Sequence, residues 1–346
     1  METRNIIVMG ASAGGFNAIK CLMADLPADL PAAVFIVWHM SPDIQGILPE
    51  VINKLGGLPA AHGIDREPIR MNRVYVAPPD QHLLIEKDRV RLSKGPKENR
   101  FRPAVDPLFR SAAYTYGARV IGIVLSGGLD DGSAGLWTIK SRGGIALVQD
   151  PADAEVPSMP ANALKAVAVD YQVPVSAMAP LLVKLATTTV TLKSPPDMNE
   201  NEKTKREVNI ALGANGLDNN LADFSSFSSY TCPECHGVLS TLKDGELIRF
   251  RCHTGHAFST DSLLAALTEN IEENLWGAIR SIQESIFLLN YLGDHFAETN
   301  QPKLAAMYFK KAKEAEERMN LVKQAVQNHE QLSTDNIRQQ LAGNNG

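Results

Sequence analysis

Three features of the sequence predict an α/β chain built on a mostly parallel, doubly wound sheet with a small antiparallel insertion, extended by a zinc ribbon and a helical hairpin. Short apolar runs alternate with helix-period stretches across residues 5–193. Several of those runs end at glycines or small polar residues, where a strand can turn sharply into a helix. Beyond residue 230, two closely spaced pairs of metal-ligand residues precede two long amphipathic stretches. Strand–helix alternation puts helices on both faces of a sheet and so makes its strands mostly parallel.

The elements follow in order. Ile6–Met9 reads as the first strand, and the glycines of Gly10-Ala11-Ser12-Ala13-Gly14-Gly15 turn it into a helix over Phe16–Asp25. Further strands are expected at Ala33–Trp38, Arg119–Leu125, Ile145–Gln149 and Val167–Tyr171. Helices are expected near Gly46–Lys54, Val105–Tyr114, Ser133–Ser141 and Ala161–Ala166, with Ser176–Ala186 closing the first domain, residues 1–193. Val74–Ala77, His82–Glu86 and Arg89–Leu92 break the rhythm as short strands joined by turns, an antiparallel insertion or edge. Pro195-Pro196, the charged residues 199–207 and the Ser/Asn-rich residues 215–229 predict a polar linker over 194–229, with Val208–Leu212 as a short docking helix within it. Residues 230–259 form the ribbon-like module, 260–332 the helical hairpin and 333–346 a flexible tail. Within the hairpin, Leu263, Leu264, Leu267, Ile271, Leu275, Ile279, Ile282, Ile286 and Leu289 recur at near-helical spacing. Ser259 or Thr260 caps the first helix, and Asn300-Gln301-Pro302 separates it from the second over Lys303–Gln331. Such stripes must be buried on each other, on the first domain, on a second copy or on a partner.

Composition narrows the function. A length of 346 residues permits more than one domain, and a 44% hydrophobic content supplies a core. The net charge of −5 argues against nucleic acid or an anionic membrane as the default partner. No apolar run is long enough to span a bilayer, and no basic-then-apolar signal opens the chain, so a cytoplasmic protein is expected. Three of the four cysteines fall within residues 232–252, which suggests metal ligands more than a disulfide framework.

The chemistry gathers at strand ends. Ser12 follows the first strand beside a helix N-terminus, where free N–H groups and the helix dipole stabilise developing negative charge. Gly10-x-Ser12-x-Gly14 also fits an elbow that exposes a nucleophilic serine; the alternatives are a phosphate-binding or purely structural glycine turn with Ser12 as a cap. His39 ends the strand Ala33–Trp38 at the same C-terminal rim of the sheet, as a base for Ser12 or a histidine that merely caps the strand. The run Val120–Leu125 leads into Ser126-Gly127-Gly128-Leu129-Asp130-Asp131-Gly132. Either Asp130 or Asp131 can accept the His39 N–H, while the other role open to both is capping the next helix. The order Ser, His, Asp excludes an α/β-hydrolase, which runs Ser, Asp, His. No Gly-Lys-Ser/Thr follows the glycines, which excludes a P-loop.

Residues 5–186 resemble the catalytic domain of the chemotaxis receptor methylesterases, the CheB family. The resemblance rests on G-A-S-A-G-G at 10–15, W-H-M at 38–40, A-P-P-D-Q-H at 77–82, R-P-A-V-D at 102–106, G-G-L-D-D-G at 127–132 and M-P at 159–160. It implies a protein-glutamate methylesterase that hydrolyses glutamate γ-methyl esters on chemoreceptor helices, and often deamidates glutamine there. The matching triad is Ser12, His39 and Asp131, with backbone N–H groups of Ala13 and Gly128 as oxyanion donors and no catalytic cofactor. Arg102 and Met159 lie on matching loops as substrate contacts, with a surface ion pair the alternative for Arg102. Two positions depart from the family: Ala13 stands where threonine is common, and Gly128 where methionine is. Both oxyanion donors are main-chain, so the departures bear on substrate fit. The first strand starts at residue 5, so no phosphorylation-controlled receiver domain is expected ahead of it.

Cys232-Pro-Glu-Cys235 and Cys252-His-Thr-Gly-His256 have the spacing of two zinc knuckles joined by a hairpin turning at Asp244-Gly245. Cys232, Cys235, Cys252 and His256 would complete a closed, structural site; His253 is a less favourable ligand, and free thiols are the alternative. The competing function to the esterase is a signalling adaptor whose ribbon and helices bind the partner.

Overall fold

In the first strand, β1 (Ile6–Ala11), every residue is buried, and its alternate side chains point to opposite faces of the sheet. Ile7 and Met9 pack into one core with Ile36, Ile121, Leu22 and Leu182. Ile6 and Val8 pack into the other with Phe35, Val124, Leu108 and Leu136. Apolar residues on both faces are what a sheet sandwiched between helix layers requires. The computed structural model describes residues 3–40, 46–190, 197–214, 219, 221–333, 336–337 and 340–341. Two compact units divide the chain, Met1–Leu263 and Leu264–Gly346.

In the first unit, β1 is followed by α1 (Gly15–Asp25), β2 (Ala33–Trp38), α2 (Leu48–Lys54), β3 (Ala60–His62) and β4 (Arg73–Val76). A hairpin of β5 (His82–Glu86) and β6 (Arg89–Ser93) precedes α3 (Val105–Tyr116), β7 (Val120–Val124) and α4 (Ser133–Ser141). Then come β8 (Ile145–Gln149), α5 (Ser158–Ala166), β9 (Tyr171–Val173) and α6 (Val175–Ala186). The main sheet has seven strands in the order β3-β4-β2-β1-β7-β8-β9, and each neighbouring pair is parallel. Strand order reverses at β1, so the crevice beyond the C-terminal ends of β2, β1 and β7 lies at the topological switch point.

The predicted α/β class and its mostly parallel sheet agree with this architecture, and several elements are corrected. Residues 73–76 join the main sheet beside β2, so only β5 and β6 form the antiparallel insertion. The short edge strand β3 was not expected, because Ala60-Ala61-His62 carries no strand pattern. The strand expected at Val167–Tyr171 is displaced to β9.

The largest correction concerns the expected linker. Residues 198–211 form α7 (Met198–Ala211), whose Lys203, Thr204, Glu207 and Val208 are buried. A second sheet follows, with β10 (Ser225–Thr231), β11 (Val238–Asp244), β12 (Leu247–Cys252) and β13 (Ala257–Ser259) antiparallel in that order. The β11–β12 turn passes through Gly245 at φ +60°, and a Cβ there would lie 2.8 Å from Trp137 Nε1 on α4. The ribbon region is therefore packed on the half that carries the parallel sheet. The boundary expected at 193–194 and most of the tail expected from 333 lie outside the described residues.

What binds α7 and the ribbon to α3 is a buried ionic network. Arg110 on α3 bonds Glu98, which also accepts from Arg251 at 3.0 Å. Glu207 on α7 accepts two bonds from Arg249, at 2.8 and 3.0 Å, and one from Arg251 at 2.9 Å. Arg249 also bonds Asp244, whose other oxygen lies 2.8 Å from Lys203. Burial raises the Glu207 carboxyl pKa, yet the Arg249, Arg110 and Arg251 charges hold it well below the usual carboxylate range. Buried charges tolerate loss of water only with such pairing.

In the second unit, α8 (Thr260–Glu298) continues from Leu264 and is followed by α9 (Pro302–Gln327). Phe296 stacks on Tyr308 at 5.3 Å between ring centroids, and the absent side chain of Gly293 makes room for the Phe309 ring. His329 Nε2 lies 2.9 Å from the Thr268 carbonyl, returning the chain to α8.

Removing one member of the network leaves its buried partners unpaired. Glu207→Gln should lower stability by about 3–5 kcal/mol, read as a fall in the thermal midpoint. Asp223→Asn, at a largely exposed ion pair, should move it little. Equal midpoints for the two variants would contradict a structural role for the network.

Candidate active site

The turn after β1 is held from several sides. Ser12 N–H donates to the Ser126 carbonyl at 2.9 Å, and the Ser12 carbonyl accepts from Gly15 N and Trp38 Nε1, each at 3.0 Å. Gly14 takes φ +71° at the head of α1, a left-handed conformation that glycine adopts without strain. Gly10 is close-packed: a Cβ there would fall 2.3 Å from Val105 Cγ1. The serine is thus presented half-buried at the rim of the sheet.

The Ala13 and Gly128 N–H groups donate to no acceptor among the described residues. No atom lies within 4 Å of the position a Gly128 Cβ would occupy. Two unused backbone donors on the turns flanking Ser12 can serve an oxyanion.

His39 follows β2 and is buried, its backbone N–H bonded to the Ala11 carbonyl at 3.0 Å. Phe101 stacks on its ring at 3.9 Å between centroids and 10° between planes. His39 Nε2 lies 2.8 Å from Asp131 Oδ2. The same oxygen accepts from Val105 N at 2.7 Å, while Oδ1 accepts from Asn99 Nδ2 at 2.8 Å, Gly132 N at 2.9 Å and Asp106 N at 3.2 Å. Val105 and Asp106 open α3, so Asp131 also neutralises unpaired donors of a helix N-terminus. Burial alone raises its pKa, but the His39 bond and these N–H donors hold Asp131 below the ordinary carboxylate value. An ionised carboxylate only accepts, so the His39 proton resides on Nε2. The buried Nδ1 has no hydrogen-bond partner, which leaves its lone pair free to act as a base. No hydrogen bond joins the Ser12 hydroxyl to His39 among the described residues.

Asp130 does not meet His39. It accepts a 2.5 Å bond from Ser259 Oγ, and desolvation among Asp261, Asp106 and Asp131 pushes it up to about 8. Asp106 accepts from Asn99 Nδ2 at 3.0 Å and Gly135 N at 2.7 Å, and burial beside Asp131 raises it to about 7.

The structure places the two expected substrate contacts, and Arg102 makes the ion pair that was its alternative. Arg102 gives Nε and a terminal nitrogen to Asp80, at 2.9 and 2.6 Å, and its other terminal nitrogen to the Lys94 and Gly95 carbonyls. All of its nitrogens therefore serve the fold. Met159 is fully buried in the core beneath the turn, its sulfur 2.3 Å from where a Gly127 Cβ would stand. Asn99, Phe101 and Asp106, which touch the His39–Asp131 pair or its carboxylate, were not singled out. Only Asp106 carried a signal, as the end of the R-P-A-V-D run.

At the ribbon, the ligand atoms of Cys232, Cys235, Cys252 and His256 lie within 4.8 Å of one another. Three separations are 3.6, 3.6 and 3.8 Å, close to the ligand–ligand edge of about 3.7 Å for a tetrahedral ion with 2.3 Å bonds. His253 packs instead on Gly237. Thr254 Oγ1 lies 2.9 Å from Cys252 Sγ and 3.1 Å from Cys235 Sγ, a neighbour not anticipated.

Comparison with known proteins adds three findings. A model of the family described as CheB methylesterase matches residues 7–182. A Leptospira interrogans protein, provisionally named protein-glutamate methylesterase/protein-glutamine glutaminase, is 40% identical over 180 residues, covering 52% of this chain and 93% of its own. A Methanosarcina mazei protein-glutamate methylesterase/protein-glutamine glutaminase is 36% identical over 192 residues, and the match spans 53% of this chain and 52% of the relative. Among solved structures, the Thermotoga maritima CheB methylesterase catalytic domain is 30% identical with a TM-score of 0.51, covering 54% of this chain and all of that one.

The raised Asp130 carboxyl makes a pH-dependent contribution with a definite sign. A folded-state value near 8 against 3.8 means that the folded chain holds this proton more tightly than the unfolded one. The contribution is full below 3.8 and is lost as pH rises through about 8. Asp130→Asn should therefore narrow the fall in thermal midpoint between pH 5 and pH 8; an undiminished fall would show that Asp130 is not the titrating group.

Proposed function

The chain belongs to the CheB methylesterase family, and from that premise we propose that it hydrolyses glutamate γ-methyl esters on the helices of methyl-accepting chemoreceptors. The same site chemistry extends to deamidation of glutamine side chains there. The single observation that carries the reading is the His39 ring, fixed by Asp131 at Nε2 and by Phe101 on its face, with a buried and unpaired Nδ1. Ser12 Oγ attacks the ester carbonyl as His39 Nδ1 takes its proton, forming the Oγ–carbon bond. The developing oxyanion is held by the Ala13 and Gly128 N–H groups. The C–O bond to methanol then breaks, with the proton returned from His39 to the leaving oxygen, and water hydrolyses the acyl-enzyme by the same route. Asp131 holds the tautomer and stabilises the imidazolium. Ser12→Ala should abolish methanol release from methylated receptor while leaving the thermal midpoint in place. Retained turnover in that variant would dispose of the mechanism.

The Cys232, Cys235, Cys252 and His256 cluster fits zinc, since four protein ligands at tetrahedral spacing leave no open position for substrate. Bound there, zinc would serve structure, tying the β10–β11 end of the ribbon to β12 and β13. Elemental analysis should find one equivalent of zinc in the full chain and none in Cys232→Ser. A metal-free wild-type chain with the ribbon folded would overturn this assignment.

A partner-binding role for the helical hairpin stands beside the esterase, because Trp276, Phe287 and Tyr291 are exposed on α8 and Met307 and Leu321 on α9.

A further inference from the structure

β13 does not end its pairing at β12. Ala257 N–H donates to the Lys97 carbonyl at 3.3 Å, and Asn99 N–H to the Ala257 carbonyl at 2.8 Å, so residues 97–99 lie along β13 as an added strand. This pairing holds Asn99 at φ 50°, a left-handed conformation that asparagine tolerates better than most residues.

The buried Asn99 side chain is fully used. Its two N–H groups go to Asp131 Oδ1 at 2.8 Å and Asp106 Oδ2 at 3.0 Å. Its Oδ1 accepts from Ser259 N at 2.8 Å and Ser262 Oγ at 3.0 Å. Four bonds saturate a carboxamide. Turning it over would set its oxygen against two carboxylates and its N–H groups against Ser259 N–H, so this orientation alone fits both neighbours. Ser259 Oγ meanwhile holds Asp130, the residue beside Asp131. Ser262 N–H in turn donates to Ser259 Oγ at 3.0 Å, which caps α8.

We infer that the region C-terminal to the catalytic half completes the active site: Ser259 and Ser262 orient Asn99, and Asn99 is a positioning residue that fixes Asp131 against His39. The inference rests on the esterase reading and deepens it. The Asn99 contact reaches the Asp131 oxygen that does not hold His39, and the space beside Gly128 stays open. The region therefore supports the triad rather than covering it. A freed Asp131 would keep its backbone donors from α3 but lose the side-chain donor that sets its tilt, and the imidazole would follow. That loss falls on the transition state, when His39 gains its charge, and not on receptor binding. The effect belongs in kcat, with KM unmoved.

The test uses the full chain and two readouts, methanol release from methylated receptor and the rate at which a fluorophosphonate labels Ser12. Asn99→Asp keeps the shape and the left-handed backbone but replaces the donating group with a third carboxylate. It should lower kcat about tenfold or more, the scale of a hydrogen bond to a charged group, with KM within about twofold. Ser262→Ala should lower kcat by a few fold and Ser262→Thr, which keeps the hydroxyl, should restore it. Labelling of Ser12 should fall in the same order. Unchanged kcat and labelling in Ser262→Ala, or an equal loss in Ser262→Thr, would overturn the inference. Should Asn99→Asp fail to fold, the Ser262 pair decides alone. Were the wild type to release no methanol, the esterase reading would fall, and the labelling series would still judge the positioning role by the same criteria.

Discussion

The Asp131 carboxylate is the point on which the rest of the structure depends. It receives five hydrogen bonds, from His39, Asn99, Val105, Asp106 and Gly132. Those donors come from the end of β2, the loop before α3, the first turn of α3 and its own turn before α4. A buried charge so surrounded stays ionised, and ionisation dictates everything next to it. It fixes which imidazole nitrogen carries the proton, leaves the other as a base and satisfies the start of a helix. The orientation of the His39 ring and the capping of α3 are thus one interaction.

A second buried electrostatic centre does comparable work for the architecture. Arg110, Arg249, Arg251 and Lys203 face Glu98, Glu207 and Asp244, drawing together α3, α7 and the ribbon strands. Glu98 and Asn99 are adjacent, so the ionic network and the active-site carboxylate hold neighbouring residues of one short segment. Apolar packing of α7 is slight, with Val208 and Ala211 against Leu84 of β5 and Tyr114 of α3. Charge pairing specifies how these elements meet, because each buried ion accepts few alternative arrangements.

Much of this was legible in the sequence. Ser12 and His39 stand at the ends of strongly apolar runs, and a parallel sheet brings such ends to one rim whatever the loops do. Asp131 could not be separated from Asp130 by position alone; the choice depends on which carboxyl the loop turns toward α3, with Leu129 held at φ 60° within it. The linker reading of 198–211 failed for a plain reason. Lys203 and Glu207 look like a solvated helix face until their partners, Asp244 and Arg249, are known, and those lie about forty positions away. Arg102 sits on the expected loop and Met159 in the first turn of α5, but position in the chain does not reveal which way a side chain turns. Asn99 gave no signal because its role is made by Ser259 and Ser262, about 160 residues downstream.

The most direct measurement of the whole account is a crystal structure of the full chain after reaction with a fluorophosphonate. The account predicts the phosphonyl group on Ser12 Oγ, its oxygen about 3 Å from both the Ala13 and Gly128 nitrogens, and His39 Nδ1 facing the serine while Nε2 stays on Asp131. An adduct whose oxygen points away from those two nitrogens, or a His39 ring turned so that Nδ1 faces elsewhere, would contradict it.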